Sequence, residues 1–427
     1  MKTAAIGGVI VSIFGAGLVL GACDGVKAQP SAAQPPSAQP AAQPSAAQPA
    51  AEPLDWKMLE APYLTDHLQL TSRDMFVKAG EAYFDPSTRW IIFQGVPVPA
   101  GGEKPSEFYG MYIAKLVKHA DGGITGIEAP IHVSPPGAWN SCGWFHPRVP
   151  GAVMFSTTFV APSTEQKNEF RVDQRTYTWR FPEEAELVAG QVPALFSDIV
   201  GKPARAKETK VERVFALPDY QAEASWSKNG RFVLYAGVRP ARTNGRPDAD
   251  LFIYDQQTGA HHAIVTEDGY DGGPFFSPDE TMICYRSDRK GDDRLQIFVA
   301  ELKYEDGVPV GVKAEHQLTD NGAVNWAPYW HPSGKYLVFG SSLVGHHNYE
   351  VWAVEAQLSA APNEPRVQRV TQATATDVLP VFSPDGAWMM WTAQRGPLAA
   401  GEQKPSSQLW IARTAPGMSP GALFPAR

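Results

Sequence analysis

The residue types best suited to chemistry cluster in two segments of the C-terminal half. The first segment runs Asn325-Trp326-Ala327-Pro328-Tyr329-Trp330-His331, and the second runs Gly345-His346-His347-Asn348-Tyr349-Glu350. Imidazoles beside carboxylates could bind a transition metal or act as acid and base. A plainer role stays open, because adjacent His346 and His347 would point to opposite faces of an extended strand. His331 also occupies a turn position that holds Ser or Asp in related segments, where it could simply cap the turn.

A second set of polar side chains stands at a fixed distance before a recurring aromatic residue. Counting five residues back from that aromatic gives an amide or a carboxylate in five copies and an alanine in the sixth. We call these positions the polar ring: Ala79, Asn140, Gln221, Asp271, Asn325 and Asp377. Their aromatic neighbours are Trp139, Tyr220, Tyr270 and Trp326. Such a ring suits a sugar, a peptide or a cation, but Asn and Asp also cap strand ends, and both roles stay open.

The aromatic that sets this count belongs to a phrase that occurs six times. The phrase is an aromatic residue, a turn built on Pro or Gly, and a second aromatic nine or ten residues after the first. Pro presets the turn dihedral and Asp-Gly tolerates the reversal, so Ser383-Pro384-Asp385-Gly386 predicts a hairpin. The six copies begin at Phe84, Phe145, Trp226, Phe276, Trp330 and Phe382. They stand roughly 50 to 80 residues apart, a spacing typical of four-stranded propeller blades with loops of varying length.

Each hairpin is followed by further strand patterns. A third strand is predicted at bulky runs such as Gln296-Ile297-Phe298-Val299 and, in the second copy, Tyr177-Thr178-Trp179. A fourth strand follows in most copies, but the last copy lacks one after Trp410-Ile411. The N-terminal segment Leu68-Gln69-Leu70-Thr71-Ser72 is predicted to supply it. The sequence therefore predicts an all-β fold, a six-bladed β-propeller of four-stranded antiparallel blades whose ring is closed by an N-terminal strand.

The strand order separates the loops into two faces. If the first strand of each blade runs down the channel, the short Pro-Asp-Gly turns lie on what we call the lower face. The loops between second and third strands are longer and lie on the upper face. They run over residues 96–107, 159–175, 237–249, 287–294, 341–349 and 393–408. Rigid scaffolds commonly bind through long loops, so the upper face is the predicted binding surface.

The N-terminus has the pattern of an export signal. Lys2 precedes an apolar stretch from Ala4 to Leu20, and the sequence then reads Leu20-Gly21-Ala22-Cys23. This pattern predicts a signal peptide over residues 1–22. Its end resembles a bacterial lipobox, in which Cys23 would carry the lipid, and an uncleaved membrane anchor is the alternative. The predicted location is the bacterial cell envelope, lipid-anchored and facing the periplasm, with the choice between inner and outer membrane open.

Composition completes the domain plan. Residues 23–60 are predicted to be the lipidated Cys and a Pro/Ala/Gln-rich linker, whose stretch from Gln29 to Pro53 cannot bury enough apolar surface to fold. The predicted propeller spans 61–413 and a tail spans 414–427. The formal net charge is −8 without any basic run, which argues against nucleic acid as a partner. Cys142 and Cys284 fall on separate blades, so we expect no disulfide between them and interpret both as small buried residues.

Common catalytic signatures do not occur in the sequence. It holds no Gly-x-Ser-x-Gly elbow, Gly-rich phosphate loop or His-Glu-x-x-His.

The repeats resemble those of the TolB-type six-bladed propeller. The resemblance is clearest in Gly273-Pro274-Phe275-Phe276-Ser277-Pro278-Asp279 and Leu379-Pro380-Val381-Phe382-Ser383-Pro384-Asp385-Gly386. The resemblance covers about residues 65 to 413 and implies a periplasmic scaffold that binds proteins or small ligands. It transfers no individual contact residue, and the linker stands where TolB has an additional α/β domain, which leaves any link to the Tol-Pal system open.

Two functions are consistent with these patterns. The first is a lipid-anchored propeller without catalysis and with no predicted cofactor, which recognises a protein or an envelope polymer such as a saccharide at its upper face. The second is a metal-dependent lyase or hydrolase that acts on a polysaccharide with a channel-bound metal ion. It resembles the propeller oligogalacturonate lyases in having His and amide side chains near a channel.

Overall fold

Six antiparallel sheets, arranged radially around a central channel, make up the computed structural model of the protein. The predicted six-bladed all-β propeller is confirmed. The structure describes residues 55–163, 169–171, 176–178, 182–239, 248–356, 366–398 and 401–426. Cys23 and the linker up to residue 54 lie outside the described residues. No helix in the described ranges is long and apolar enough to cross a membrane.

The chain reaches the ring through α1 (Trp56–Glu60) and β1 (Leu64–Gln69). Blade 1 consists of β2 (Phe76–Phe84), β3 (Trp90–Pro97), β4 (Gly110–Lys118), and β5 (Ile124–Ile127) and β6 (Ile131–His132), both paired with β4. Blade 2 consists of β7 (Asn140–Phe145), β8 (Ala152–Thr157), β11 (Glu186–Gln191) and β12 (Lys210–Arg213), with a separate hairpin of β9 (Glu169–Arg171) and β10 (Thr176–Thr178). A short helix, α2 (Pro193–Val200), connects β11 to β12.

The remaining blades are regular. Blade 3 consists of β13 (Gln221–Trp226), β14 (Phe232–Arg239), β15 (Asp248–Asp255) and β16 (Ala260–Val265). Blade 4 consists of β17 (Asp271–Phe276), β18 (Met282–Ser287), β19 (Gln296–Glu305) and β20 (Val308–Gln317). Blade 5 consists of β21 (Asn325–Trp330), β22 (Tyr336–Ser341), β23 (Glu350–Glu355) and β24 (Val367–Arg369). Blade 6 consists of β25 (Asp377–Phe382), β26 (Trp388–Ala393), β27 (Gln408–Thr414) and β1, and α3 (Pro420–Leu423) lies in the tail.

The third strand of blade 2 differs from the prediction. Tyr177 and Thr178 belong to β10, which pairs with β9, and Trp179 lies outside the described residues. The strand that pairs with β8 is β11, over six consecutive residue pairs. The prediction was wrong because β11 lacks the aromatic residue that marks the other third strands, whereas the inserted hairpin contains one.

The lower turns are held by local side-chain hydrogen bonds. Ser383 Oγ donates to Asp385 Oδ1 at 2.6 Å and accepts from the backbone N–H of Trp388 at 3.0 Å. Asp385 Oδ1 also accepts from the backbone N–H of Ala387 at 3.0 Å. The Ser and Asp of the repeated phrase therefore satisfy the turn's own backbone, which is why the phrase recurs with so little change.

The ring is closed where β1 pairs with β27, from Leu64 opposite Thr414 to Gln69 opposite Trp410. The predicted closure by an N-terminal strand is confirmed. Beside this seam lies a buried ion cluster, which we call the closing cluster: Glu60, Asp377 and Arg395. Arg395 Nη2 is 2.7 Å from Glu60 Oε1, and its Nε donates to Asp377 Oδ1 at 2.9 Å. The cluster links α1, ahead of the ring, to blade 6.

The tail after β27 packs onto the same region. Met418 and Phe424 are buried in the core that also contains Tyr336 and Trp391. The Tyr336 hydroxyl donates to the Met418 carbonyl at 2.8 Å. The seam between blades 5 and 6 is therefore covered by both ends of the propeller chain.

Replacing Arg395 with Met should destabilise the protein by about 3–5 kcal/mol, because it leaves Glu60 and Asp377 buried without their cation. Urea unfolding monitored by tryptophan fluorescence measures this free energy. Arg413→Met is the control: it removes an exposed pair with Asp66 at the same seam and should cost less than about 1 kcal/mol. Equal, small losses in both variants would show that the buried cluster does not stabilise the ring.

Candidate functional site

Every inner strand carries a β-bulge two residues after its polar-ring position. There the backbone φ is positive, between 44° and 58°, and the pairing with the second strand shifts register. The six residues, which we call the bulge ring, are Glu81, Cys142, Glu223, Gly273, Ala327 and Leu379. All six line one central cavity. Five are not glycine, and this backbone conformation costs such residues on the order of 1 kcal/mol or more each.

Four aromatic side chains close the channel below the bulge ring. We call them the aromatic plug: Tyr83, Trp144, Phe275 and Tyr329. They come from blades 1, 2, 4 and 5, and their ring centroids lie 5.0 to 6.5 Å apart. Rings from opposite blades thus meet across the channel axis. The channel is a pocket with a floor rather than an open tunnel.

The cavity above this floor has a volume of about 1160 Å³. Residues of the upper loops frame its mouth, including Ser106, Tyr109, His347 and Lys404. Trp139, Tyr220, Tyr270 and Trp326 stand along its wall. This volume is slightly above the range of about 300 to 1000 Å³ for pockets that bind drug-sized molecules, and like such pockets the cavity combines aromatic walls with a few polar groups.

The best-defined polar group at the base is Glu223. Its carboxylate accepts from the Tyr270 hydroxyl at 2.7 Å, from the Gly273 backbone N–H at 2.5 Å and from Arg286 Nη2 at 3.1 Å. Burial alone would lower the pKa of Arg286, but the charges of Glu223 and its neighbours outweigh that effect and raise it. Arg286 also lies 5.9 Å from the ring of Trp326. The Glu223–Arg286 ion pair is therefore held in place in the cavity wall, and its two charges balance each other.

Glu81, on the neighbouring side, has a different environment. Its carboxylate accepts from the Tyr83 hydroxyl at 3.3 Å and from the thiol of Cys142. Burial raises the pKa of Glu81, and the nearby charge of Glu223 raises it further, against the hydrogen bond from Cys142 and the charge of Arg286, which lower it less than burial raises it. Burial also raises the pKa of the Cys142 thiol well above its usual range, so this thiol is a hydrogen-bond donor rather than a thiolate.

Cys142 corrects one expectation. Both cysteines are free, as predicted, and Cys284 is fully buried. Cys142 is only half-buried and lines the cavity, because the bulge in β7 turns it toward the channel. The spacing of residues along the sequence did not predict this bulge.

Two members of the polar ring show how its side chains are used. The Asn140 Nδ2 group donates to the carbonyls of Tyr109 at 2.8 Å and Ala138 at 2.9 Å, and Asn140 lines the cavity. Gln221 donates from Nε2 to the Pro218 carbonyl at 2.6 Å. Both residues therefore hold the upper loops against the start of an inner strand.

The other three polar members lie behind the cavity wall. Asn325 Nδ2 donates to Gln296 Oε1 at 2.9 Å. Arg289 Nη2 donates to Asp271 Oδ1 at 3.4 Å, and burial raises the pKa of Asp271 to about 7. Asp377 belongs to the closing cluster. The structure thus brings Asn140 to the cavity and engages Gln221, Asp271, Asn325 and Asp377 in buried contacts; a ligand-binding role for these residues stays a prediction.

Four candidate residues of blade 5 lie at its upper end, and two of them reach the cavity. Trp326 and His347 line it. His346 lies outside its wall, with its ring 6.3 Å from that of Tyr349, and Asn348 Oδ1 accepts from the Ala375 N–H at 2.7 Å.

His331 lies at the opposite end of β21, in the lower turn. Its Nδ1 accepts from the Ser333 N–H at 3.1 Å, which makes it a turn cap. Its ring stacks on Tyr336, and burial lowers its pKa to about 4. The whole length of β21 therefore separates His331 from His346 and His347, so the three imidazoles do not meet on one side of the channel mouth.

Sequence reasoning missed the residues that define the base of the cavity: Glu81, Cys142, Glu223 and Arg286. A usable signal existed, because two positions of the bulge ring hold Glu, two residues after the polar-ring position of the same inner strand. Arg286 could not be found this way, since it lies on β18 and reaches the cavity beside Gly273.

In the described part of the chain, no three His, Cys, Asp or Glu side chains come together in a way that could hold a metal ion. An oligogalacturonate lyase to which this chain is similar at 13% identity has been solved in complex with manganese.

No family model matches the chain. The curated protein Atu1656 of Agrobacterium fabrum is 30% identical over 125 residues, which span 29% of this chain and 36% of that protein. Among solved structures, the chain is similar to TolB of Acinetobacter baumannii (16% identity, TM-score 0.47), over 78% of this chain and 65% of that one. It is also similar to an oligogalacturonate lyase of Vibrio parahaemolyticus (12% identity, TM-score 0.41), over 82% and 93%. Both propeller types that the sequence resembles are thus among the structures to which this chain is similar.

Proposed function

We propose that the protein is a membrane-anchored, extracytoplasmic binding propeller that acts without catalysis. It receives part of a protein or an envelope polymer, such as a saccharide, in the cavity of its upper face. The observation that carries the proposal is the blind cavity of about 1160 Å³, which opens among the upper loops and ends at the aromatic plug. A pocket of this form retains a ligand that enters and leaves by one mouth.

The cavity, rather than surface hydrophobicity, favours the upper face. Exposed apolar side chains occur there at Val160 and Leu398, which are 68% and 57% exposed. The lower face carries comparable residues at Val149 and Ile199, which are 46% and 41% exposed. Scattered exposed apolar residues are ordinary on protein surfaces, so they do not select a face.

The groups at the base of the cavity suit binding. Glu223 accepts three hydrogen bonds, one of them from Arg286, so both side chains are held in fixed positions in the cavity wall. The surrounding Trp and Tyr side chains offer flat apolar faces with polar tips, which sugars and peptides both use.

The metal-dependent alternative has no observation in the described residues that favours it. It stays a prediction, and metal analysis of the purified protein tests it: stoichiometric metal that is lost together with activity in a His347→Ala variant would support catalysis.

Removing two aromatic walls of the cavity should abolish ligand binding. We expect at least one fragment from a panel of envelope oligosaccharides and peptides to raise the melting temperature of the unaltered protein, since a ligand at about 100 times its Kd stabilises by about 2.7 kcal/mol. The Trp139→Ala, Trp326→Ala double variant should lose this shift. Tyr304→Ala, an aromatic exposed at the lower end of blade 4, is the control and should keep it. Retention of every shift in the double variant would place binding elsewhere.

The anchor has its own test at Cys23. Because more than one acyl chain makes membrane attachment stable, the unaltered protein should sediment with membranes and incorporate labelled palmitate. Cys23→Ala should do neither, whereas Cys142→Ala, which removes a cysteine of the propeller, should do both. Membrane attachment that persists in Cys23→Ala without label would favour an uncleaved apolar anchor instead.

A further inference from the structure

The bulge ring is polar on one side of the cavity and apolar on the other. Blades 1 to 3 contribute Glu81, Cys142 and Glu223, whereas blades 5 and 6 contribute Ala327 and Leu379. Blade 4 contributes Gly273, and an added Cβ there would lie 2.0 Å from Arg286 Nη1. Glycine thus leaves space for the guanidinium, whose charge is matched to Glu223. The base of the cavity holds two carboxylates and one cation.

The two carboxylates differ in how well they are satisfied. Glu223 accepts three hydrogen bonds, two of them from neutral donors and one from Arg286. Glu81 accepts one at 3.3 Å from Tyr83 and one from the Cys142 thiol, which is a weak donor. The 3.3 Å hydrogen bond from Tyr83 is longer than the about 2.7–2.9 Å that is typical of a hydrogen bond from a cation to a carboxylate. Among the described residues, Glu81 is in no ion pair, so it lacks the strong donor that Glu223 has.

An acceptor with no donor among the described residues, Asn140 Oδ1, lies on the same side. Asn140 is 2% exposed, and both hydrogen bonds of its amide leave through Nδ2. Its Oδ1 has no hydrogen-bond partner in the described structure, although buried polar atoms nearly always have one. Asn140 precedes Cys142 by two residues in β7, and Cys142 contacts Glu81. The weakly satisfied carboxylate of Glu81 and Asn140 Oδ1, unpaired in the described part of the chain, therefore both belong to the wall formed by blades 1 and 2.

We propose that this wall recognises a primary ammonium group of the ligand, which donates to the Glu81 carboxylate and to Asn140 Oδ1. An ammonium supplies three donors and the missing positive charge. The rings of Tyr109 and Trp139, on the same two blades, and of Tyr220 on neighbouring blade 3 favour a cation through their π faces. This inference rests on the proposed function, because it names the ligand chemistry of the same cavity.

The charges around the mouth leave this preference intact. Lys78 and Lys404 line the mouth together with Glu107 and Glu402, so acidic and basic groups are equal in number there. The Lys78 ammonium lies 4.3 Å from the centre of the Tyr109 ring, which shows that this aromatic wall accommodates an amine. Only the base carries one more acidic than basic side chain.

Titration calorimetry with matched small probes tests the proposal on the unaltered protein. Glucosamine should bind at least about tenfold more tightly than glucose and N-acetylglucosamine, which lack the charge. Parallel titration with 1,5-diaminopentane distinguishes the source of the amine: comparable binding indicates recognition of the ammonium alone, and binding of glucosamine only indicates an amino sugar. If neither amine binds better than glucose, or if none of the probes binds, the ammonium proposal is wrong.

Variants assign the preference to Glu81. Glu81→Gln should weaken glucosamine binding about tenfold or more and leave glucose binding within about twofold, because it removes the charge but keeps the shape. Glu128→Gln, which removes an exposed carboxylate of blade 1 outside the cavity, should change neither. A glucosamine preference that survives Glu81→Gln overturns the assignment. Equal binding of glucose and glucosamine that is lost in the Trp139→Ala, Trp326→Ala variant would reject the ammonium but support the cavity as the binding site.

Discussion

The pairing of β1 with β27 is the contact on which the rest of the propeller depends. A blade can bury its faces only against its neighbours, so an open ring would expose the apolar faces of blades 1 and 6. Closure brings these blades together at the channel, where the Glu81 N–H donates to Thr392 Oγ1 at 3.0 Å and the Ala79 N–H donates to the Ser407 carbonyl at 2.9 Å. The closing cluster links α1 to blade 6, and the packed tail covers the neighbouring seam between blades 5 and 6. The part of the cavity wall that blade 1 contributes therefore depends on its contacts with blade 6, which β1 completes.

Closure also explains how a strained backbone can be maintained at six related positions. Each inner strand is paired with the second strand of its blade on both sides of the bulge, so the surrounding structure fixes the positive φ between the paired stretches. The bulge displaces the side-chain alternation by one residue. As a result, the residues of the bulge ring turn into the cavity, and those two positions further on form the plug or pack beside it. One local irregularity, repeated around the ring, produces both the cavity and its floor.

The features that the sequence predicted well are those encoded locally. A Ser-Pro-Asp-Gly turn satisfies its own backbone, so each copy marks a hairpin regardless of what surrounds it, and counting strands was enough to assign β1 to blade 6. Blade 2 was misread because an inserted hairpin supplied the expected aromatic and the true third strand, β11, did not. The polar ring was found at the correct strand ends, but Asn140 and Gln221 hold loops, and Asp271, Asn325 and Asp377 are engaged in contacts behind the cavity wall. The groups that define the cavity, Glu81, Glu223 and Arg286, depend on bulge geometry and on contacts between strands, which spacing along one strand does not contain.

The central claim is that the upper cavity, above the aromatic plug, is where this protein binds. A crystal structure of the protein with its bound ligand, either retained through purification or found by screening, tests the claim most directly. The account predicts ligand density between the upper loops and the rings of Tyr83 and Phe275, in contact with the bulge ring of blades 1 to 3. Ligand density on the lower face or on the outer strands, with the cavity filled only by solvent, would contradict it.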